Sequence, residues 1–235
     1  MKTIGIIGGL SWESTIEYYR IINQEVSKAL GGLHSAKILL ESLEFSEIVS
    51  LQRAGKWDEI IEILIDSAKR LKTAGADVVL IATNTLHRFA PQVQTVLEDT
   101  PLLHIADATA REIKNLNIKK VALLGTKYTM QEDFYKGKFI NEYSIEVVVP
   151  SENQQELIHG IIFDELCQGI ITERSENILQ KVIEHCKKDG AQAVVLGCTE
   201  LPNIIKKAPI PILNTAQIHS IAAVEFALKK ETIEV

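Results

Sequence analysis

The residues of this chain best suited to chemistry are Gly197-Cys198-Thr199-Glu200. A strand that ends in a small residue and a thiol, followed by hydrogen-bonding side chains, can present a reactive cysteine near backbone N–H groups. Such donors favour thiolate. An ordinary thiol has a pKa of about 8.5, so modest tuning makes it a usable base near neutrality. The second candidate segment is Thr83-Asn84-Thr85, which offers two hydroxyls and an amide in three residues and suits a carboxylate or an amino group. The plain alternative for it is a polar turn capping the next helix. His87 follows closely and could assist Thr83 or help to bind a substrate. Buried free cysteines usually only pack, and that is the reading for Cys167 and Cys186, which sit inside helical patterns.

The elements that must position these residues are short apolar runs alternating with longer amphipathic ones. Strand-like runs fall at residues 3–7, 36–40, 78–82, 121–124, 145–149, 193–196 and 210–213, with helical patterns at 14–28, 57–73, 106–115, 156–167, 175–188 and 215–229. That alternation predicts an α/β fold with parallel sheets covered by helices. The strands are almost continuously apolar, as expected when both faces are buried. An internal repeat accompanies the alternation. The segment from Gly75 to Thr85 aligns without a gap on Gly190 to Glu200 at an offset of 115 residues. Ile4-Gly5-Ile6-Ile7-Gly8 aligns on Val121-Ala122-Leu123-Leu124-Gly125 at 117, and the helical stretches that follow hold Tyr18-Tyr19 and Phe134-Tyr135. Buried strands resemble one another, so either match alone carries little. Two in the same order at nearly one spacing predict two similar halves, residues 1–105 with 213–235 and residues 106–212. The repeat pairs Thr83 with Cys198, each just after a buried strand, where ligands bind in open α/β sheets.

Composition bounds the rest. The 235 residues include 25 basic and 31 acidic side chains, for a net charge of −6, and 46% are hydrophobic. No basic cluster stands out, so neither nucleic acid nor an anionic membrane is an expected partner. No apolar run reaches the roughly 18 to 20 residues needed to span a bilayer. Three cysteines without C-x-x-C spacing argue against a disulfide framework or structural zinc and fit a reducing cytoplasm. His34, His159, His185 and His219 form no ligand spacing, so no metal is expected; His104, on a short apolar run, reads as a hydrogen-bonded core residue. Gly8-Gly9-Leu10-Ser11 and Gly125-Thr126 close equivalent strands, and such turns expose N–H groups that could hold an anion. The full G-x-G-x-x-G spacing is missing, which weakens a nucleotide reading. Trp12 and Trp57 read as packing residues. Gln52 and Arg53 could reach a side-chain carboxylate or simply form a solvated helix end.

Nearly the whole chain resembles the cofactor-independent aspartate/glutamate racemase superfamily. The resemblance lies in Gly5-Ile6-Ile7-Gly8-Gly9, Thr83-Asn84-Thr85-Leu86-His87, Leu103-His104-Ile105, Leu124-Gly125-Thr126, Gly197-Cys198-Thr199-Glu200 and the helix after Asn214-Thr215. Ser11-Trp12-Glu13-Ser14-Thr15 and His104-Ile105-Ala106-Asp107-Ala108-Thr109 look closer still to the bacterial L-aspartate/glutamate-specific racemases. The resemblance implies two pseudo-symmetric α/β domains with the active site in the cleft between them, a homodimer, no cofactor, and a small acidic amino acid as substrate. It implies two-base proton transfer at the α-carbon by Thr83 and Cys198, with Leu10, Gln52, Asn84, Thr85, Thr126, Thr199 and Glu200 as substrate-binding candidates. Most relatives carry cysteine at both catalytic positions, and many have an acidic residue where this chain has Asn214. Gln52 replaces an arginine that holds the distal carboxylate in many relatives, and residues 157–168 lack the lysine that accompanies it.

Two other functions fit the same residues. One is a cysteine-dependent isomerase or hydrolase of the maleate isomerase kind, which would form a covalent thiol adduct. The other is a non-catalytic sensor that binds an acidic amino acid without exchanging its α-hydrogen.

Overall fold

The computed structural model describes residues 1–229. It divides into two compact units, one formed by Met1–His104 with the chain from His219 onward, the other by Ile105–Ile218.

The first unit is built on a parallel sheet. Strand β1 (Ile4–Gly8) leads into helix α1 (Trp12–Leu30), and β2 (Ile38–Ser42) into α2 (Phe45–Arg53) and α3 (Trp57–Thr73). Strand β3 (Val78–Ile81) runs through a 3-10 turn at Thr85–Phe89 into α4 (Ala90–Leu97). The strand order is β2-β1-β3, with Ile4 opposite both Ile38 and Val78. Every residue of β1 and β3 is buried, because helices cover both faces of the sheet. In α3 the buried positions Ile60, Leu64, Ser67, Ala68 and Leu71 recur at three- and four-residue spacing, so one stripe faces the sheet. That stripe joins Ile7, Val79, Ile81, Leu86 and Val93 in the main core of this unit.

The second unit repeats the plan. Helix α5 (Ile105–Asn115) precedes β4 (Lys120–Gly125), α6 (Lys127–Gln131), α7 (Asp133–Tyr143) and β5 (Glu146–Val148). Then come α8 (Glu152–Gly160), a π turn at Ile161–Glu165, a 3-10 turn at Leu166–Gln168, α9 (Glu173–Lys188) and β6 (Ala193–Gly197). The short α10 (Leu201–Ile204) and β7 (Ile212–Asn214) complete this unit, and α11 (Thr215–Leu228) starts in it and belongs to the first unit from His219 onward. The parallel sheet runs β5-β4-β6-β7. Its two faces carry separate cores, one holding Leu124, Ile158, Leu179, Val194 and Leu196, the other Ile113, Leu123, Tyr135, Phe139 and Val195.

The predicted repeat is present in the hydrogen bonds themselves. Gly75 and Gly190 both sit at φ +93°, each ending a helix that leads into a strand. The Ala76 N–H reaches the Leu71 carbonyl as that of Ala191 reaches Cys186, both at 3.0 Å. Asp77 donates to Thr3 at 2.8 Å and Gln192 to Lys120 at 2.9 Å. Val79 donates to Pro101 and Val194 to Pro211, both at 2.9 Å, so the Pro101–Leu103 stretch occupies in one sheet the place β7 holds in the other. Such correspondence in backbone detail goes beyond what two buried strands share by composition.

Several expectations shift. The second strand starts at Ile38, two residues later than the apolar run suggests, because it lies at the sheet edge with alternating exposure. Trp12 is 62% exposed and packs no core, whereas Trp57 borders one core with the Arg88 guanidinium 4.3 Å over its ring. Among the described residues no helix is long and apolar enough to cross a membrane.

Candidate active site

In the first unit the C-terminal edge of the sheet carries both Thr83 and the Gly8-Gly9-Leu10 turn. The Ala82 N–H still reaches the Ile7 carbonyl at 2.9 Å, and the chain then turns tightly, Thr83 N–H donating to Ile81 at 2.8 Å. This turn leaves Thr83 half-buried at the strand end, followed by buried Asn84 and Thr85 at the start of the 3-10 turn. Gly9 is required here. Its φ is +75°, and a Cβ would stand 2.1 Å from the Leu43 carbonyl oxygen. Leu10 is buried in the core. Gln52 lies half-buried in the last turn of α2, about 10 Å along that helix from its start.

His87 closes the Thr83 turn. Its Nδ1 lies 2.7 Å from the Thr83 carbonyl oxygen, and a carbonyl only accepts, so Nδ1 carries the proton. Nε2 is then a bare acceptor, buried and without a hydrogen-bond partner among the described residues. Burial, and next the neighbouring His104, push the His87 pKa well below the usual imidazole range. The His104 and His219 ring centres lie 4.7 Å and 5.5 Å away. His219 donates from Nε2 to the Leu103 carbonyl at 2.8 Å, so its Nδ1 must accept from the Tyr18 hydroxyl at 2.9 Å. Burial holds its pKa down at about 3. Residues 18, 87, 104 and 219 show no common spacing in the sequence, and only the fold brings them together.

In the second unit Gly125 and Gly197 lie opposite each other at the ends of β4 and β6. A Cβ on Gly125 would stand 2.7 Å from the Gly197 carbonyl oxygen, so glycine lets the two strand ends close up. The next residues, Thr126 and Cys198, therefore leave the same sheet edge side by side. Thr126 is buried and caps α6 through its hydroxyl, which accepts from the Thr129 N–H at 3.3 Å. Cys198 is 7% exposed, and its thiol donates to Glu200 Oε2 at 3.0 Å. The Thr199 hydroxyl donates to the same oxygen at 2.9 Å. Asn214, at the end of β7, accepts from the N–H groups of Ala216 and Gln217 and so caps α11.

This environment does not favour a free thiolate. Burial, then the Glu200 carboxylate, push the Cys198 pKa well above the ordinary thiol range. The sequence expectation that backbone donors would dominate therefore gives way to a protonated thiol held by a buried carboxylate. The 3.0 Å contact puts the Cys198 sulfur and the Glu200 carboxylate within proton-transfer distance of each other. Cys186 is a core residue, its thiol pushed up to about 11 chiefly by burial, and Cys167 packs at the edge of the same core. Among the described residues no group of three or more His, Cys, Asp and Glu side chains is arranged to hold a metal ion.

Comparison with known proteins bears on this geometry. The Asp/Glu/Hydantoin racemase family matches residues 7–223. The broad specificity amino-acid racemase RacX of Bacillus subtilis is 26% identical over 169 residues, spanning 68% of each chain. A solved structure from Yersinia pestis, described as a candidate Asp/Glu racemase, is 46% identical with a TM-score of 0.90, over 97% of this chain and 100% of that one. An aspartate racemase homologue from Pyrococcus horikoshii is 37% identical with a TM-score of 0.82, again over 97% and 100%.

Proposed function

Because this chain belongs to the Asp/Glu/Hydantoin racemase family and is an amino-acid racemase, we propose that its substrates are aspartate, glutamate or both, and that Thr83 and Cys198 are its two proton-transfer groups. The observation that carries this reading is the pairing of the Cys198 thiol with the Glu200 carboxylate, at the strand end equivalent by repeat to the one that bears Thr83.

The chemistry follows from that pair. The α-hydrogen of an amino acid is weakly acidic, and without a cofactor the developing carbanion must be stabilised by oriented donors in a water-poor site. In the L-to-D direction the thiol proton first passes to Glu200, and the sulfur then takes the α-proton from the L-enantiomer. Thr83, directly or through a water, delivers a proton to the other face. In the D-to-L direction the Thr83 side abstracts and the thiol returns a proton. Asn84, Thr85, Thr126 and Thr199 supply donors for the substrate carboxylates. Glu200 serves as the proton acceptor of Cys198. A covalent mechanism differs in leaving a thiol adduct on the protein, which two-base proton transfer does not.

The test uses protein dialysed exhaustively against a chelator, then incubated in D2O with L- and D-aspartate and L- and D-glutamate. We expect α-deuteration and loss of chirality together, with no mass adduct on the protein. Binding without exchange would mark a sensor, and a thiol adduct a covalent isomerase or hydrolase; either result overturns the proposal.

A further inference from the structure

We propose that His87 is the positioning residue for Thr83: a buried neutral imidazole whose Nδ1 proton fastens the Thr83 carbonyl and sets where the Thr83 hydroxyl stands. The inference rests on the role given to Thr83 above and adds a residue that the mechanism has not used.

Four observations support it. Thr83 sits between its own N–H, committed to Ile81 at 2.8 Å, and its own carbonyl, committed to His87 at 2.7 Å. With both backbone groups fixed, only side-chain rotation remains. The His87 ring is buried, its second nitrogen has no hydrogen-bond partner of good geometry among the described residues, and the bond to the Thr83 carbonyl leads the backbone contacts, with Leu103 and Asn84, that act on the ring. The imidazoles of His104 and His219 hold the ring in place at 4.7 Å and 5.5 Å. His219 is itself fixed at both nitrogens, by Tyr18 and by the Leu103 carbonyl. His104 and His219 are also the residues at which the chain leaves and rejoins this unit. The clamp is thus backed by the ends of the unit's own segments rather than by a surface loop.

A buried imidazole with an unmet acceptor is a costly way to fill space, since an unsatisfied buried polar group costs about 1–3 kcal/mol. An apolar ring would pack there without that cost and could not donate to Thr83. The proton on Nδ1 is what histidine adds.

The role separates from a structural one through direction. Thr83 serves the D-enantiomer and Cys198 the L-enantiomer, so displacement of Thr83 alone should spare proton abstraction from L. The experiment follows α-deuteration in D2O from each enantiomer of aspartate and glutamate, for wild type, His87→Phe, His87→Asn and His87→Gln. His87→Phe should lose about tenfold or more in kcat for exchange from the D-enantiomer, since small misplacements are costly near reacting atoms. Its KM should stay near wild type, and it should still wash the α-hydrogen out of the L-enantiomer with retention of configuration. His87→Asn places an amide donor where Nδ1 stood and should recover most of the D-side rate. His87→Gln places its donor one atom farther out and should not. Comparing Asn with Gln keeps the test decisive should the Phe variant fail to fold. Equal losses from both enantiomers, or equal rates for Asn and Gln, would overturn the positioning role. No exchange of either enantiomer by wild type would instead overturn the reaction reading on which it rests.

Discussion

Acid should loosen the first unit through His219, and the size of the effect follows from the structure. His219 is fully buried, with its pKa held at about 3 against an ordinary 6.5. A histidine with a depressed folded-state pKa binds fewer protons folded than unfolded, so stability falls as pH falls between those two values. At pH 7 nearly all of the neutral-state stability is present. At pH 5 the unfolded chain holds His219 protonated while the folded chain does not, a difference of about 2 kcal/mol at 1.36 kcal/mol per pH unit below 6.5. His87 is shifted in the same direction and adds to the effect. Against a typical domain stability of about 5–15 kcal/mol this is a large loss. The assay is urea unfolding followed by circular dichroism at pH 7 and pH 5, for wild type and His219→Gln. The variant is less stable at pH 7, having lost bonds to Tyr18 and Leu103, but its further loss on acidification should be smaller than wild type's by about 2 kcal/mol. Equal pH dependence in the two proteins would refute the reasoning.

Glu200→Gln removes the acceptor of the Cys198 proton and should cut kcat about a hundredfold with little change in KM. If Glu200 only raised the thiol pKa, the same variant would instead run faster and at lower pH. Thr83→Cys should raise kcat from the D-enantiomer relative to that from the L-enantiomer, because a thiol replaces an alcohol as the base on that side; an unchanged ratio would show that Thr83 does not set the direction. Gly9→Ala should destabilise the fold by about 2–4 kcal/mol, because its Cβ meets the Leu43 backbone at positive φ. Gly55→Ala, also at positive φ but in open space, should cost only about 1 kcal/mol; similar thermal melts for the two would contradict the steric argument.

Much of this architecture is legible in the chain itself. Continuous apolar runs such as Val78–Ile81 and Ala193–Gly197 mark buried parallel strands, and the repeat between them places Thr83 and Cys198 at equivalent ends. Short elements are harder to read. The eight residues of α4 include a proline, and α7 is only weakly amphipathic, so neither stands out by periodicity. The candidate site was legible as residue types but not as directions. The sequence places Glu200 two residues from Cys198; only the turn after β6 shows that its carboxylate faces the thiol and opposes the expected thiolate. The Tyr18–His219 contact spans 201 positions, and no local pattern announces it.

The central claim is that the sulfur of Cys198 removes the α-proton of an acidic L-amino acid. α-Deuteration of L-aspartate and L-glutamate in D2O by Cys198→Ala tests it most directly, with circular dichroism showing that the variant is folded. The account predicts no exchange above the buffer rate. Exchange retained at more than a few per cent of wild type would contradict it.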